Sequence, residues 1–179
     1  MALLENDMKA ALFITLGILI AVLCVIVFKK KKAKKAKELM ESTMISFKEG
    51  MEWVDLPVIP CINNNKRFNL ILDSGSNVSH INSGVLNEFD FNMLDTEMSV
   101  IGIEGNKKDS GKCLMKFNCR GSSLEEEFCI TDLNAAFDDI KRNYGVSIHG
   151  ILGNRFLEKY GYVLDFAELV AYRKESKKG

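Results

Sequence analysis

A long uncharged apolar run near the amino terminus is the feature that most constrains this chain. From Ala10 to Phe28 there are 19 consecutive residues without a charge, dominated by Leu, Ile, Val and Ala. At the rise of an α-helix these residues span about 28 Å, close to the roughly 30 Å hydrocarbon core of a bilayer. No polar face with a helical period interrupts the run, which disfavours an amphipathic surface helix. The run predicts a single transmembrane helix at residues 10–28, with the lipid bilayer as its partner.

Two kinds of cleaved leader are the alternatives to a retained anchor. A secretory signal peptide starts with a basic region, whereas the first nine residues hold Glu5 and Asp7 against Lys9. A lipoprotein signal that used Cys24 would need a small residue where Leu23 stands. The flanking residues therefore favour a retained anchor.

The residues that follow the run predict its orientation. Seven lysines lie directly after it: Lys29, Lys30, Lys31, Lys32, Lys34, Lys35 and Lys37. Lysines of this kind mark the cytoplasmic side of a membrane span. We therefore expect a single-pass protein of the cell membrane, with a tail of residues 1–9 outside and residues 29–179 in the cytoplasm. Residues 29–49 are interpreted as a basic juxtamembrane linker and residues 50–175 as one folded domain.

The charge of the folded part limits its partners. The whole chain has 24 basic and 24 acidic side chains, but residues 50–179 carry 15 basic against 19 acidic ones. This acidic balance argues against nucleic acid as the main partner.

The cysteines show no pattern typical of disulfides or metal sites. A cytoplasmic domain would keep the cysteines beyond the apolar run reduced; these are Cys61, Cys113, Cys119 and Cys129. No C-x-x-C motif occurs, and His80 and His149 lie at no ligand-like spacing from the cysteines, which disfavours a structural zinc site. We interpret the four cysteines as core residues and expect neither a metal nor a cofactor.

Period-two patterns predict a mostly β domain after the linker. Val54–Val58 and Phe68–Leu72 flank the turn-rich segment Asn63–Lys66, an arrangement typical of a β-hairpin. A later strand places four apolar side chains on one face: Cys113, Met115, Phe117 and Cys119. A return strand is predicted near Leu124–Ile130, where Glu126, Phe128 and Ile130 share a face.

Short helices fit at only two places in this domain. Residues 134–143 are followed by Gly145, and residues 154–160 by Gly161. Glycine just past the last helical turn is a common helix stop.

The tripeptide Asp73-Ser74-Gly75 is the strongest candidate for chemistry. It follows the apolar strand Phe68–Leu72 directly. A carboxylate at the end of a buried strand can be oriented by the hydroxyl of Ser74 and by backbone N–H groups, and Gly75 permits the tight turn that this requires. Asp-Ser-Gly is also a common turn sequence without a function.

A second Asp-Ser-Gly serves as an internal comparison. Asp109-Ser110-Gly111 lies among lysines and has no apolar strand before it. We expect it to be a solvent-exposed hairpin turn. It also follows the first tripeptide by only 36 residues, too few for a two-lobed protease in a single chain.

Two further segments complete a recognisable order of motifs. Val100–Gly105 is apolar and glycine-spaced, which suits the tip of a mobile hairpin, and His149–Gly153 places Ile151, Leu152 and Gly153 before a short helix. The order of strand with Asp-Ser-Gly, glycine-rich hairpin, apolar-apolar-Gly and short helix resembles a retroviral-type, or retropepsin-like, aspartic protease domain. The resemblance covers about residues 54–172, and the stretch Gly150–Phe166 is especially similar to cellular, non-viral members.

The resemblance implies a fold and roles for these residues. The fold would be a mainly β, retropepsin-like closed barrel or sandwich with one or two short helices, preceded by the transmembrane helix. Asp73 would be the catalytic aspartate, with Ser74 and Gly75 as its supporting loop. Gly102, Ile103 and Gly105 would belong to a flap over the substrate, and Ile151, Leu152 and Gly153 would support the active-site loop.

Departures from the viral pattern occur near these motifs. Ser76 replaces a commoner alanine, Asn77 stands where viral enzymes carry an acid, and the order Asn154-Arg155 replaces Arg-Asn or Arg-Asp. These changes put the viral style of ion pair at the dimer interface in doubt.

The resemblance also implies an assembly and a reaction. Aspartic proteases need two carboxylates that share a proton, and this chain offers one aspartate in a qualifying motif, Asp73. An active site would therefore require a homodimer with Asp73 from each copy. The chain is expected to be a membrane-anchored aspartic endopeptidase that acts on protein or peptide substrates. The alternative is a catalytically inactive module of the same fold for dimerisation or peptide binding at the membrane.

Overall fold

A computed structural model of the chain describes the backbone of residues 2–101 and 107–174. Side chains are described for residue 17 and for residues 19–95 and 110–174. The chain divides into two compact units, Met1–Glu41 and Ser42–Gly179. The second unit starts before the boundary expected at residue 50, because a short strand and a helix between residues 45 and 54 belong to it.

The first unit consists of helix α1, Ala2–Thr43, which continues two residues into the second unit. Two exposed ion pairs, Lys34–Glu38 and Lys37–Glu41, each join side chains one turn apart at 3.8 Å. Such pairs support the basic half of a helix by a few tenths of a kcal/mol each.

The predicted membrane span lies within α1 and is only partly described. Side chains of residues 10–16 and of residue 18 are outside the described set. Among the residues that the structure describes, no helix has the length and hydropathy needed to cross a bilayer. The span at residues 10–28 therefore stays a prediction.

The second unit is mainly β. Its strands are β1 Ile45–Ser46, β2 Val58–Asn63, β3 Lys66–Leu72, β4 Ser79–Asn82, β5 Asn92–Ile101, β6 Lys107–Cys119, β7 Ser122–Thr131, β8 Gly150–Leu152, β9 Tyr162–Asp165 and β10 Val170–Arg173. Its helices are α2 Lys48–Val54, α3 Asn134–Tyr144 and α4 Asn154–Tyr160, with a 3₁₀ helix at Ser83–Glu88. The prediction of a mainly β domain with few helices is confirmed, although α2 adds a third short α-helix.

Six of these strands form a closed barrel. The order is β2-β3-β8-β4-β7-β6, and β6 pairs again with β2 through Asn118 and Ile62. The β3–β8 and β4–β7 pairs are parallel, and the other neighbouring pairs are antiparallel. The β2–β6 pair closes the ring, and β5 pairs with the first part of β6, from Lys107 to Leu114.

The turn of the first hairpin forms where the sequence predicts it. Strands β2 and β3 pair from Val58–Ile71 to Asn63–Lys66. The two connecting residues, Asn64 and Asn65, have φ values of 46° and 61°. Positive φ at both central residues defines the turn that matches strand twist, and asparagine tolerates it.

The first strand of this hairpin begins later in the sequence than predicted. Val54 ends helix α2, and the strand begins only at Val58. The helix lets Val54 pack in a small apolar cluster with Val58, Ile71 and Phe137. Burial of this side chain thus decided its secondary structure, which the local alternation did not reveal.

The core confirms the face assignments of β6 and β7. Cys113, Met115, Phe117 and Cys119 are all at most 3 % exposed. Phe68 lies centrally among Phe89, Phe117 and Phe128, with ring centroids 4.7, 5.6 and 6.1 Å away. Aromatic pairs at these separations add to the burial of apolar area.

The second Asp-Ser-Gly is not a turn, which corrects the expectation. Residues 109–111 lie within β6, where they pair with β5. Ser110 donates a hydrogen bond to the carbonyl oxygen of Ile130. Pairing with β5 extends a tripeptide whose local preference is a turn.

Two of the four cysteines are joined, which differs from the expectation of reduced thiols. Cys61 and Cys119 form a disulfide with a Cα–Cα distance of 4.4 Å. The register of β2 against β6 places them directly opposite each other, although 58 residues separate them in sequence. Among the described residues, Cys24, Cys113 and Cys129 are not joined in a disulfide.

The predicted helices after β7 are confirmed. Helix α3 is followed by Gly145 with φ of 72°, and α4 by Gly161 with φ of 66°. After α4 the chain forms a second, three-stranded sheet in the order β1-β10-β9. This sheet joins the two ends of the unit.

Candidate active site

Asp73 follows the last residue of β3 and starts a tightly held loop. Its backbone N–H donates to the carbonyl oxygen of Leu152 at 3.0 Å, and its own carbonyl accepts from the N–H of Ser76 at 3.3 Å. The carboxylate oxygen Oδ1 accepts from the N–H of Gly75 at 2.8 Å. The side chain is half-buried. The loop therefore holds the carboxylate in one orientation and leaves it accessible.

The apolar motif before α4 is placed beside this loop. Strand β8 pairs in parallel with β3, so that Ile71 lies opposite Ile151 and Leu72 opposite Leu152. Its other edge pairs with β4 through His80. The carbonyl of Leu152 thus meets the backbone of Asp73 because β8 lies between β3 and β4.

Gly153 lies where no side chain fits. A Cβ atom there would come closer than 3.0 Å to the backbone oxygens of Val78 and Ser76. This close approach lets the segment after β8 pack against the loop that follows Asp73. The structure therefore gives a steric reason for glycine at this position.

Helix α4 is joined to the same loop at its first turn. The N–H of Asn154 donates to the carbonyl of Ser76 at 2.6 Å, and that of Arg155 to Asn77 at 3.4 Å. N–H groups in the first turn have no partner inside the helix. The loop supplies those partners, and the helix in turn fixes the loop.

Ser74 lies at the surface of the domain. Its side chain is exposed and lines a surface cavity of about 560 Å³ together with Leu157 and Phe166. The described hydrogen bond to the carboxylate comes from the Gly75 backbone, whereas the sequence also predicted one from the Ser74 hydroxyl.

His80 lies close enough to Asp73 for their charges to interact. Burial lowers the pKa of His80, and the negative charge of Asp73 partly opposes this shift. The Nδ1 atom of His80 lies 3.0 Å from the hydroxyl oxygen of Thr131. A lowered pKa leaves the imidazole neutral at neutral pH.

The predicted flap is not part of the described chain. Gly102, Ile103 and Gly105 fall in residues 102–106, outside the described residues. The strands on either side are described, and they pair up to Ile101 and Lys107.

No candidate metal site occurs among the residues described. Groups of three or more His, Cys, Asp or Glu side chains arranged to hold an ion are absent from that part of the chain.

His149 holds the strands that position the loop. Its Nδ1 atom accepts a hydrogen bond from the backbone N–H of Asn69 at 2.9 Å, and its own backbone N–H donates to the Asn69 carbonyl at 3.0 Å. Burial lowers the pKa of His149. Protonation would place a hydrogen on the accepting nitrogen and break the first bond.

We expect His149 to make the domain less stable in acid. A lowered folded-state pKa means that the unfolded chain binds the proton more tightly. The contribution of His149 to the free energy of unfolding is therefore fully present above the usual histidine pKa of 6.5. This contribution is lost as pH falls through the lowered pKa of the folded state. In His149→Asn the amide oxygen still accepts but does not titrate, so the free energy of unfolding should vary less between about pH 7 and 5.

Urea unfolding at a series of pH values, followed by the fluorescence of Trp53, measures this dependence. Trp53 is the single tryptophan of the chain. His80 has the same direction of shift, so the slope should be reduced and not removed. An unchanged slope in His149→Asn would contradict the assignment.

Two polar residues of this region were missed at the level of sequence. Ser79 and Glu126 are buried and lie 2.8 Å apart, oxygen to oxygen. The alternation in the sequence of β7 places Glu126 on the same face as Phe128. A carboxylate on a face that points into the core is unusual, and this could have identified Glu126 from the sequence.

Comparison with known proteins gives fold likenesses only. No protein family model matches the chain, and no curated protein matches it. Solved structures that resemble it include the EIAV protease complexed with the inhibitor HBY-793, at 16% identity and a TM-score of 0.46, over 62% of this chain and 93% of that one.

Two foamy virus structures also resemble the chain. The foamy viral protease-reverse transcriptase in complex with an RNA/DNA hybrid has 18% identity and a TM-score of 0.40, over 59% of this chain and 12% of that one. The Simian Foamy Virus (mac) protease has 13% identity and a TM-score of 0.39, over 56% of this chain and 91% of that one.

Proposed function

We propose that this chain is one half of a retropepsin-like aspartic endopeptidase. The observation that carries the proposal is the placement of Asp73. Its carboxylate is half-buried at the end of a barrel strand, and backbone hydrogen bonds to Leu152, Gly75 and Ser76 hold the loop around it. A fixed and accessible carboxylate is what a general acid or base requires.

The reaction needs a second carboxylate close to the first. One ionised aspartate takes a proton from water, and its protonated partner polarises the carbonyl of the scissile peptide bond. Two like charges about 3 Å apart do not both ionise, so the pair retains one proton over a range of pH. As the water loses its proton, its oxygen adds to the carbonyl carbon. The C–N bond then breaks while an aspartate donates a proton to the leaving nitrogen, which gives a carboxyl group and an amine.

A second copy of the chain supplies that carboxylate in our proposal. The other Asp-Ser-Gly, residues 109–111, lies within paired strand β6 and forms no loop like that of Asp73. A twofold dimer would bring Asp73 of each copy to a common axis.

The membrane anchor is a further part of the proposal. Its support is the charge-free run at residues 10–28, the lysines that follow it, and the exposed apolar side chains between Leu19 and Phe28. Confinement to a membrane raises the local concentration of the chain and favours the dimer. We place the folded domain in the cytoplasm on the lysines alone, and we assign the cellular type on the stretch Gly150–Phe166.

The substrate class follows from the proposed reaction. A protein or peptide segment would bind in extended form, so that pairing of its backbone adds to recognition. Substrates close to the membrane are the natural targets of an anchored enzyme.

A peptide-library digest tests the proposal. The full-length chain is incubated with the library from mildly acidic to neutral pH, at a concentration where sedimentation shows a dimer. Cleavage that rises with the dimer fraction would support a dimeric aspartic protease and give its sequence preference. A confirmed dimer that cuts no peptide would overturn it in favour of the inactive binding module.

A further inference from the structure

Glu126 is a buried carboxylate that the proposed chemistry does not use. It lies on β7 between Glu125 and Glu127, whose side chains pair with Lys116 and Lys112 at 3.4 and 3.7 Å. Alternation along the strand turns Glu126 inward, where it is 6 % exposed. Burial of a carboxylate is costly unless partners compensate, so these partners identify what the residue does.

A chain of hydrogen bonds leads from Glu126 to the loop of Asp73. The hydroxyl of Ser79 donates to Oε1 of Glu126 at 2.8 Å. The same hydroxyl oxygen accepts from the N–H of Gly153 at 3.2 Å. The preceding residue, Leu152, accepts the hydrogen bond from the N–H of Asp73. Glu126 thus orients the hydroxyl that fixes the backbone next to the Asp73 loop.

Lys159 connects the same carboxylate to helix α4. Its Nζ atom lies 3.5 Å from Oε2 of Glu126 and donates to the carbonyl of Glu125 at 2.6 Å. The other end of α4 is bound to the Asp73 loop through Asn154. Both ends of this short helix therefore depend on groups that contact either Glu126 or the loop.

Other charged side chains line the same cavity of about 210 Å³ as Glu126. They are Lys112 from β6, Glu127 from β7, and Arg155 and Lys159 from α4. Strand β4 contributes Ser79 there. Burial raises the pKa of Glu126, and the hydrogen bond from Ser79 and the charge of Lys159 oppose this only in part.

We propose that Glu126 is a positioning residue which, through Ser79 and Gly153, sets the geometry of the loop that carries Asp73. The ionised carboxylate is the stronger acceptor for Ser79 and attracts Lys159. The neutral form is a weaker acceptor and loses that attraction. The loop is therefore held most firmly when Glu126 is ionised, at a cost in folding free energy. The catalytic part of this inference rests on the function proposed above.

The first test does not need catalysis. In the isotopically labelled full-length chain, the amide signal of Gly153 is followed by NMR as pH is varied. The native protein should show a titration of this amide above the usual range of a glutamate, since burial raises the pKa of Glu126. Glu126→Gln should abolish that step, and Ser79→Ala should uncouple it from Gly153.

The matched control is Glu127→Gln. It removes the same charge from the neighbouring residue, which is exposed and pairs with Lys112. The titration step at Gly153 should persist in this variant.

Ser79→Thr keeps the hydroxyl and should restore the coupling that Ser79→Ala loses. Persistence of the step in Glu126→Gln would overturn the proposal.

The second test separates positioning from a merely structural role. Glu126→Gln should lower kcat by about tenfold with little change in KM, because a small misplacement of a reacting group is costly. Its free energy of unfolding at neutral pH should be equal to or higher than that of the native chain. A stable variant with native kcat and pH profile would overturn the proposal. If the native chain cuts no peptide, the proposed function fails, and the Gly153 titration still decides the role of Glu126.

Discussion

Replacement of Asp73 by Asn is expected to lower peptidase activity on the order of 10²–10⁴-fold. Asn cannot act as a base, so the pair at the dimer axis would lose its shared proton. Its amide oxygen can still accept the hydrogen bond that Gly75 donates to Oδ1, so the fold and the dimer should persist. Initial rates on the best library peptide, with sedimentation of both proteins, measure the effect.

The chain provides a matched control for this prediction in its other Asp-Ser-Gly. Asp109→Asn makes the same chemical change at a position paired with Ser99 between two strands. This variant should retain native activity. Equal losses in both variants, or full activity in Asp73→Asn, would contradict the assignment of Asp73 as the catalytic aspartate.

Replacement of Gly153 by Ala is expected to destabilise the domain by about 3 kcal/mol. The added Cβ would come closer than 3.0 Å to backbone atoms of Val78 and Ser76. Backbone atoms cannot swing aside as a flexible side chain does, so β4, β8 and the Asp73 loop would have to move apart. Chemical denaturation followed by Trp53 fluorescence gives the change in the free energy of unfolding.

Gly111→Ala is the control for this steric effect. A Cβ at Gly111 would meet its nearest atoms, on Ile130 and Met93, at 3.7 Å. This is an ordinary contact distance, and alanine suits a strand at least as well as glycine. The variant should stay within about 0.5 kcal/mol of the native chain. A Gly153→Ala protein as stable as Gly111→Ala would show that the loop does not pack as described.

Both predictions concern one arrangement in which stability and geometry are linked. Asp73 is held by Leu152, Leu152 precedes Gly153, and Gly153 donates to Ser79. A change at any of these positions acts on the same loop. Losses of activity caused by changes at Leu152 or Gly153 should therefore be accompanied by changes in stability. Asp73→Asn should change activity alone, because the amide oxygen keeps the hydrogen bond from Gly75.

Much of the secondary structure could be predicted because its determinants are local. The turn at Asn64 and Asn65 depends on two residues that tolerate positive φ. The end of α4 depends on a glycine that follows it directly. The alternation in β6 depends on neighbours two residues apart. Each signal acts within a few residues of where it is read.

The errors occurred where distant contacts override local preference. Val54 was predicted in a strand, but its burial against Ile71 and Phe137 is satisfied from a helix. Residues 109–111 favour a turn in isolation, yet pairing with β5 extends them. Cys61 and Cys119 carry no sequence signal of contact, since only barrel closure brings β2 beside β6.

The sequence by itself determined that Asp73 directly follows an apolar strand and that a charge-free run precedes seven lysines. Only the tertiary structure decided what holds the loop. Parallel pairing of β3 with β8 brings Leu152 to Asp73, and the neighbouring strands β4 and β7 bring Ser79 and Glu126 to Gly153. Residues 47 or more positions apart meet there, because closure of the barrel sets which strands are neighbours, and no local pattern encodes that order.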